Sequence, residues 1–168
     1  MGKAIKNQLA IAGFSRVQLA KNGKVMGDSG WNGPNQITNS GFELYLCKLL
    51  AGTTGSLQIN SVALGTTSAP ASDAVTLPGE ISGSTKRTSC ANTYLSSGST
   101  HTIRFYGTFG STVSFLAGSS NISNIGLYKN SATNDTGAVL FAGNTYASSQ
   151  CSTNQDVYFS YEIRFSTA

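Results

Sequence analysis

Apolar and polar residues alternate near the end of the chain, where Val157, Phe159, Tyr161, Ile163 and Phe165 interleave with Tyr158, Ser160, Glu162 and Arg164. A β-strand sends successive side chains to opposite faces, so this pattern predicts a strand with one face in a core and the other toward solvent. Its apolar phase is strong enough to place it centrally in a sheet. The same period runs from Thr100 to Phe109, with His101, Ile103, Phe105, Gly107 and Phe109 expected inward and Thr102, Arg104, Tyr106 and Thr108 outward. Arg16 to Ala20 and Lys24 to Asp28 read as a hairpin, because Asn22-Gly23 suits the positive φ values of a tight turn. Further strands are predicted at Ile59 to Leu64, Lys86 to Leu95, Val113 to Leu116, Ile122 to Tyr128 and Val139 to Tyr146. A long Gly/Pro/Ser-rich loop from Gly65 to Gly79 is expected to be exposed, and Asn130 to Gly137 reads as a polar loop.

One stretch departs from this rhythm. Between Ile37 and Gly52, Phe42, Tyr45, Leu46, Leu49 and Leu50 recur at helical spacing, Ser40-Gly41-Phe42-Glu43 fits a capping box, and Gly52 supplies a stop. These five side chains are expected to pack the helix against a sheet, at about 1.5 to 3 kcal/mol each. The strand count, one helix and the lack of a βαβ rhythm predict an all-β fold, an antiparallel β-sandwich of jelly-roll type. An immunoglobulin-type sandwich is the alternative, without the cysteine and tryptophan spacing that marks it.

Charge changes the picture at the start of the chain. Lys3, Lys6, Arg16, Lys21 and Lys24 precede the first acid, Asp28, whereas the rest of the chain is nearly neutral. Residues 1–13 are expected to form an extended arm ahead of a single domain spanning 14–168, with the basic segment either attaching to an acidic surface or lying solvated. Charged residues are only 11% of the chain, so the surface consists largely of hydroxyls and amides that repel neighbouring copies weakly. No export signal and no bilayer-spanning run is read. The lone tryptophan, Trp31, sits in a Gly/Pro loop and is expected to cap the core, with a contact surface as the alternative.

Candidate chemistry is sparse. Cys47, Cys90 and Cys151 are odd in number, far apart and without a C-x-x-C pair, so reduced, buried thiols are expected in place of a disulfide framework or metal site. His101 falls among inward apolar positions and lacks a nucleophile elbow. The seven carboxylates form no acid/base motif, so no catalytic, cofactor-binding or metal-binding residues are assigned and an enzyme is not expected. Tyr94, Tyr106, Tyr128 and Tyr158 are expected to be exposed and suited to stacking on bases or sugars, but the basic residues do not interleave with them, so no specific nucleic-acid contact is expected.

An ordered series of segments carries a resemblance. Ile37-Thr38-Asn39-Ser40-Gly41-Phe42, then Val62-Ala63-Leu64-Gly65-Thr66, Ala69-Pro70-Ala71 with Asp73, Leu77-Pro78-Gly79-Glu80-Ile81 and Lys86-Arg87 resemble a pattern of tailed-bacteriophage virion proteins. Asn121 to Tyr128, Leu140 to Tyr146 and Val157 to Phe165 are similar to the strands that close such domains. The resemblance implies a virion structural protein, expected here as a decoration or cement protein made in the host cytoplasm and bound to the capsid surface. Its expected partners are the major capsid protein and itself, as homodimer or homotrimer, with no membrane. Candidate capsid contacts are Lys3, Lys6, Arg16, Lys21, Lys24 and Trp31. A tail-fibre, collar or receptor-binding component is the alternative, and a carbohydrate-binding module a second one.

Overall fold

The strand with the clearest alternation is the one the fold is built around. In a computed structural model, which describes residues 9–52, 57–81, 83–129 and 138–167, β10 (Asp156–Thr167) lies between β1 (Leu9–Lys21) and β7 (Thr100–Phe109). Antiparallel pairing runs from Leu9↔Thr167 to Ala20↔Asp156 on one side and from Val157↔Phe109 to Ser166↔Thr100 on the other. With β2 (Lys24–Asp28) beside β1 and β6 (Ala91–Ser97) beside β7, sheet I has the order β2-β1-β10-β7-β6. Sheet II has the order β3-β9-β8-β4-β5, from β3 (Gln36–Ile37), β4 (Ser61–Gly65), β5 (Arg87–Ser89), β8 (Ser120–Tyr128) and β9 (Leu140–Cys151).

The two sheets face each other across one core, an all-β antiparallel sandwich. Val17, Leu19, Phe105, Phe109, Val157, Phe159, Tyr161 and Ile163 of sheet I pack with Ile37, Val62, Leu64, Ile122, Ile125, Leu127 and Phe141 of sheet II. Chain-adjacent pairs β1-β2, β4-β5, β6-β7 and β8-β9 each stay within a sheet, and the chain changes sheet between them. This alternation of strand pairs between the sheets is the connectivity of the sandwich. Among the described residues no helix is long and apolar enough to cross a membrane.

The first hairpin follows the reading of its turn: Asn22 and Gly23 both take positive φ, 52° and 74°. Of the expected leading arm, residues 1–8 lie outside the described residues, and Leu9 to Gly13 form the first part of β1, paired with β10. Ile11 packs against the core, continuing the apolar phase of the strand.

The helical segment differs from its expected form. Gly41–Cys47 is a π-helix that continues into a short α-helix, α1 (Lys48–Leu50). The i→i+5 bonding of a π-helix widens the turn, so positions spaced for an α-helix no longer share a face. Only Tyr45 of the five expected side chains is fully buried, and Leu50 is 86% exposed. The capping box does not form either. Ser40 makes no side-chain cap, and Thr38 replaces it, its Oγ1 accepting from Gly41 N–H at 2.9 Å and donating to the Leu140 carbonyl at 2.6 Å. Gly41 allows this docking, because a Cβ there would lie 2.2 Å from the Phe141 carbonyl oxygen. Tyr45 fastens the other end by donating to the Val139 carbonyl and accepting from Lys129 N–H.

Sheet II is buried on both faces. A second cluster, Ala63, Leu77, Tyr128, Ala138 and Leu140, lies on its far side, and Leu77 comes from the loop expected to be exposed. Most side chains of that loop do meet solvent, but Pro70 and Leu77 are buried. Asn124 Nδ2 donates to the Ser68 and Pro78 carbonyls at 2.8 and 2.9 Å, and the Tyr128 hydroxyl accepts from Leu77 N–H. Tyr128 is therefore core, not an exposed aromatic; the Arg87 guanidinium stacks on its ring at 3.9 Å and pairs with Glu80 at 2.8 Å. The strand expected at Val113 to Leu116 is instead a 3₁₀ turn, Ser111–Val113, held by Ser111 N–H donating to Asp156, after which Phe115 and Leu116 enter the core.

Two expected outcomes follow from this burial. Tyr128→Phe leaves the buried Leu77 N–H without its acceptor and should cost about 1 to 3 kcal/mol in urea unfolding. Burial pushes the Tyr45 hydroxyl up to about 12 and also raises those of Tyr128, Tyr146 and Tyr161. Unfolded tyrosines ionise near 10, so the unfolded state loses protons first and stability should fall as pH rises above about 10, as circular dichroism against pH would report.

Candidate docking face

The outward phase of sheet I collects the charged and aromatic side chains that the core excludes. Register places Phe14, Glu162 and Arg104 in one row across β1, β10 and β7, with Arg16, Ser160 and Tyr106 in the next. Arg164 lies one row the other way, between Ala12 and Thr102.

Glu162 organises the centre of this face. Its Oε1 accepts from Arg104 Nε and Nη2 at 2.8 and 2.6 Å, and its Oε2 accepts from Arg164 Nε and Nη2 at 2.9 and 2.7 Å. The carboxylate side chain is 4% exposed while the two arginines are 38% and 39% exposed. Glu162 was expected in solvent; the arginines on either side cover it, and their paired bonds offset its desolvation. Each guanidinium also meets an aromatic ring, Arg164 at 4.1 Å from the Phe14 centroid and Arg104 at 5.7 Å from that of Trp31.

Trp31 is not a core cap. It is 42% exposed, because the segment carrying it runs beside β1, with Asn32 bridged to Ser15, and leaves the ring toward Arg104 on the outer side. Tyr106 is 43% exposed on the same face. Arg16 is tied to Asp28 through its Nε at 3.0 Å and its Nη2, and Asp28 also accepts from Gln18 and Gly30 N–H. The Arg16 guanidinium, with help from these two donors, holds the Asp28 carboxyl well below the usual carboxylate range.

The structure thus brings two of the six sequence candidates, Arg16 and Trp31, onto one face. Lys21 and Lys24 are exposed and face each other across the hairpin turn, and Lys3 and Lys6 lie outside the described residues. Phe14, Arg104, Glu162 and Arg164 were missed as site residues. The outward phase of Arg104, Glu162 and Arg164 was visible, but Phe14 lay ahead of the first expected strand and the register that joins β1, β10 and β7 was not visible.

The remaining chemistry is placed elsewhere. His101, expected inward, is exposed in a row with Phe165 and Ser96 at the end of the sheet, where its Nδ1 meets the Tyr94 hydroxyl at 2.6 Å. Thr102, expected outward, is buried between Arg164 and Leu95 on the neighbouring strands. Cys47, expected buried, is exposed on the π-helix; Cys90 is half-buried and Cys151 buried, and burial pushes both thiols up to about 11. Among the described residues no three or more His, Cys, Asp or Glu side chains gather as a metal site. A cleft of about 280 Å³ opens between the helical segment and the inner face of sheet I, lined by residues such as Leu46, Leu49, Ile103 and Phe165. It lies at the small end of ligand cavities and its polar lining is limited to side chains such as Gln58 and Asn92, so the flat outer face is the stronger candidate.

No protein-family model matches the chain, and no curated protein or solved structure matches it.

Glu162→Gln should cost about 1 to 3 kcal/mol in denaturant unfolding, less than a fully enclosed pair, because both arginines retain water contact. In the native protein a thiol reagent should modify Cys47 quickly, Cys90 more slowly and Cys151 only at the rate of opening; three equally fast thiols would contradict this placement.

Proposed function

We propose that the chain is a virion structural protein that decorates and cements the outer surface of a bacteriophage capsid, docking on the major capsid protein through the outer face of sheet I. The observation that carries this reading is the placement of solvent-exposed Trp31 and Tyr106 on one sheet face beside arginines already held by carboxylates. Aromatic rings and arginines are the side chains that dominate interface energetics, and fixing them beforehand lowers the entropy lost on docking. The resemblance of the ordered segments from Ile37 to Phe165 supplies the setting.

Shell stabilisation then follows from mass action. A subunit that binds the assembled shell and not its dissociated parts shifts the equilibrium toward assembly, and many weak copies add up over a capsid. Three arginines against Asp28 and Glu162 leave the face mildly positive, and Lys21 and Lys24 extend that charge to the hairpin tip. An acidic shell surface is the complement, with the lysines steering approach more than holding the complex.

The exposed rings also favour a second reading, a glycan-binding or receptor-binding component of a tail fibre or collar. Binding of purified protein to expanded empty capsids separates the two. Trp31→Ala should weaken shell binding at least tenfold, and Lys21→Ala with Lys24→Ala should flatten its salt dependence. Removing residues 1–8, which keeps β1 whole, tests Lys3 and Lys6 the same way. Binding to glycans that is lost with Trp31→Ala, without shell binding, would select the second reading.

A further inference from the structure

Among the described residues the two sheets present four edge strands, β2, β6, β3 and β5, and three of them are blunted. β3 has two residues and β5 has three. β2 carries Lys24 and Asp28 and joins β1 through a register shift at Leu19/Ala20. Short length, charge and irregular pairing are the usual means by which sheet edges avoid joining other strands.

β6 has none of these. It is seven residues long, pairs with β7 in unbroken register from Ala91↔Tyr106 to Ser97↔Thr100, and every residue except Thr93 is exposed. From Cys90 to Thr102 the chain holds no Lys, Arg, Asp, Glu or Pro. Alternate residues of an antiparallel edge turn their N–H and C=O groups away from the neighbouring strand, so β6 offers a straight row of about 24 Å of pairing groups. Tyr94 is 62% exposed and Leu95 is also exposed, adding apolar area beside that row.

We infer that β6 is a self-association edge: two copies of the chain pair their β6 strands antiparallel about a two-fold axis and join their five-stranded sheets into one. The strand's own sequence selects this occupant. With the axis at Tyr94, Ala91 meets Ser97, Asn92 meets Ser96 and Tyr94 meets Tyr94, matching small with small, polar with polar and ring with ring, while Thr93 meets Leu95, an uncharged pair of a β-branched and an aliphatic side chain. No charge faces itself across the axis, as a two-fold requires, and the strand has no charged side chain with which to select a foreign strand. The joined sheet sets two docking faces side by side, so a shell would be engaged twice by each dimer. The inference rests on the reading of the chain as an assembly subunit and specifies its homodimer, but its test needs no capsid.

A single edge is a small interface, so dimerisation should have a dissociation constant of about 1 to 50 μM. Sedimentation of the full chain across that range should show a species at twice the 17.5 kDa chain mass that grows with concentration. Tyr94→Lys sets like charges across the axis and should raise the dissociation constant at least tenfold, whereas Val25→Lys on the β2 edge should leave it unchanged. If Tyr94→Lys proves misfolded by circular dichroism, amide exchange of the unaltered protein decides, because β6 amides should gain protection with concentration. A monomer throughout, a trimer, or a dimer indifferent to Tyr94→Lys with unprotected β6 amides would overturn the inference. A monomer that still bound shells would remove the edge pairing and leave the docking reading in place.

Discussion

The structure depends on the pairing of β10 along almost its whole length with β1 on one side and β7 on the other. The first described strand, the last and a central one thereby become neighbours, and a strand paired on both sides leaves no backbone groups unsatisfied in the core. Val157, Phe159, Tyr161 and Ile163 then lie in a single line facing sheet II, each excluded from water. The same pleat that buries them presents Tyr158, Ser160, Glu162 and Arg164 on the opposite side, so core and candidate docking face are two phases of one strand.

Sheet II meets a different constraint, because its strands carry apolar side chains on both faces. Ala63, Tyr128 and Leu140 would be left in water by a simple two-layer sandwich, and the chain between Gly65 and Arg87 supplies the cover. That cover is pinned by directional bonds, from Asn124 to two loop carbonyls and from Leu77 to Tyr128, as well as by burial of Leu77. Arg87 and Glu80 are paired beneath it with the guanidinium on the Tyr128 ring, which ties this flank together by charge as well as by packing.

On sheet I, polar pairing performs a task that packing performs on sheet II. One carboxylate holding two arginines fixes long side chains that would otherwise sample many rotamers, and the flanking rings of Phe14 and Trp31 fix them further. A partner that docks there meets a surface with little left to order. The uncharged β6 edge and the fixed central face therefore offer two kinds of contact, backbone pairing at the rim and side-chain recognition at the centre.

The sequence by itself determined the features that local geometry dictates. Alternation in β10, and in β7 from Ile103 onward, and the Asn22-Gly23 turn follow from the pleat and from allowed φ values and appear in the structure, whereas His101 and Thr102 at the start of β7 exchange their expected exposure. Tertiary structure decided whatever depends on partners distant in the chain. The docking of Gly41 on Phe141 goes with a π-helix and a cap at Thr38, Leu77 is drawn over Tyr128, and Trp31 is left outside because its segment runs along β1. Glu162 is buried between Arg164 of its own strand and Arg104, which is brought beside it from 58 residues away by a match of register that no local pattern encodes. Half of the candidate site was therefore visible as the outward phase of its strands, and the half that makes it a site, the joining of those strands into one face, belongs to the fold.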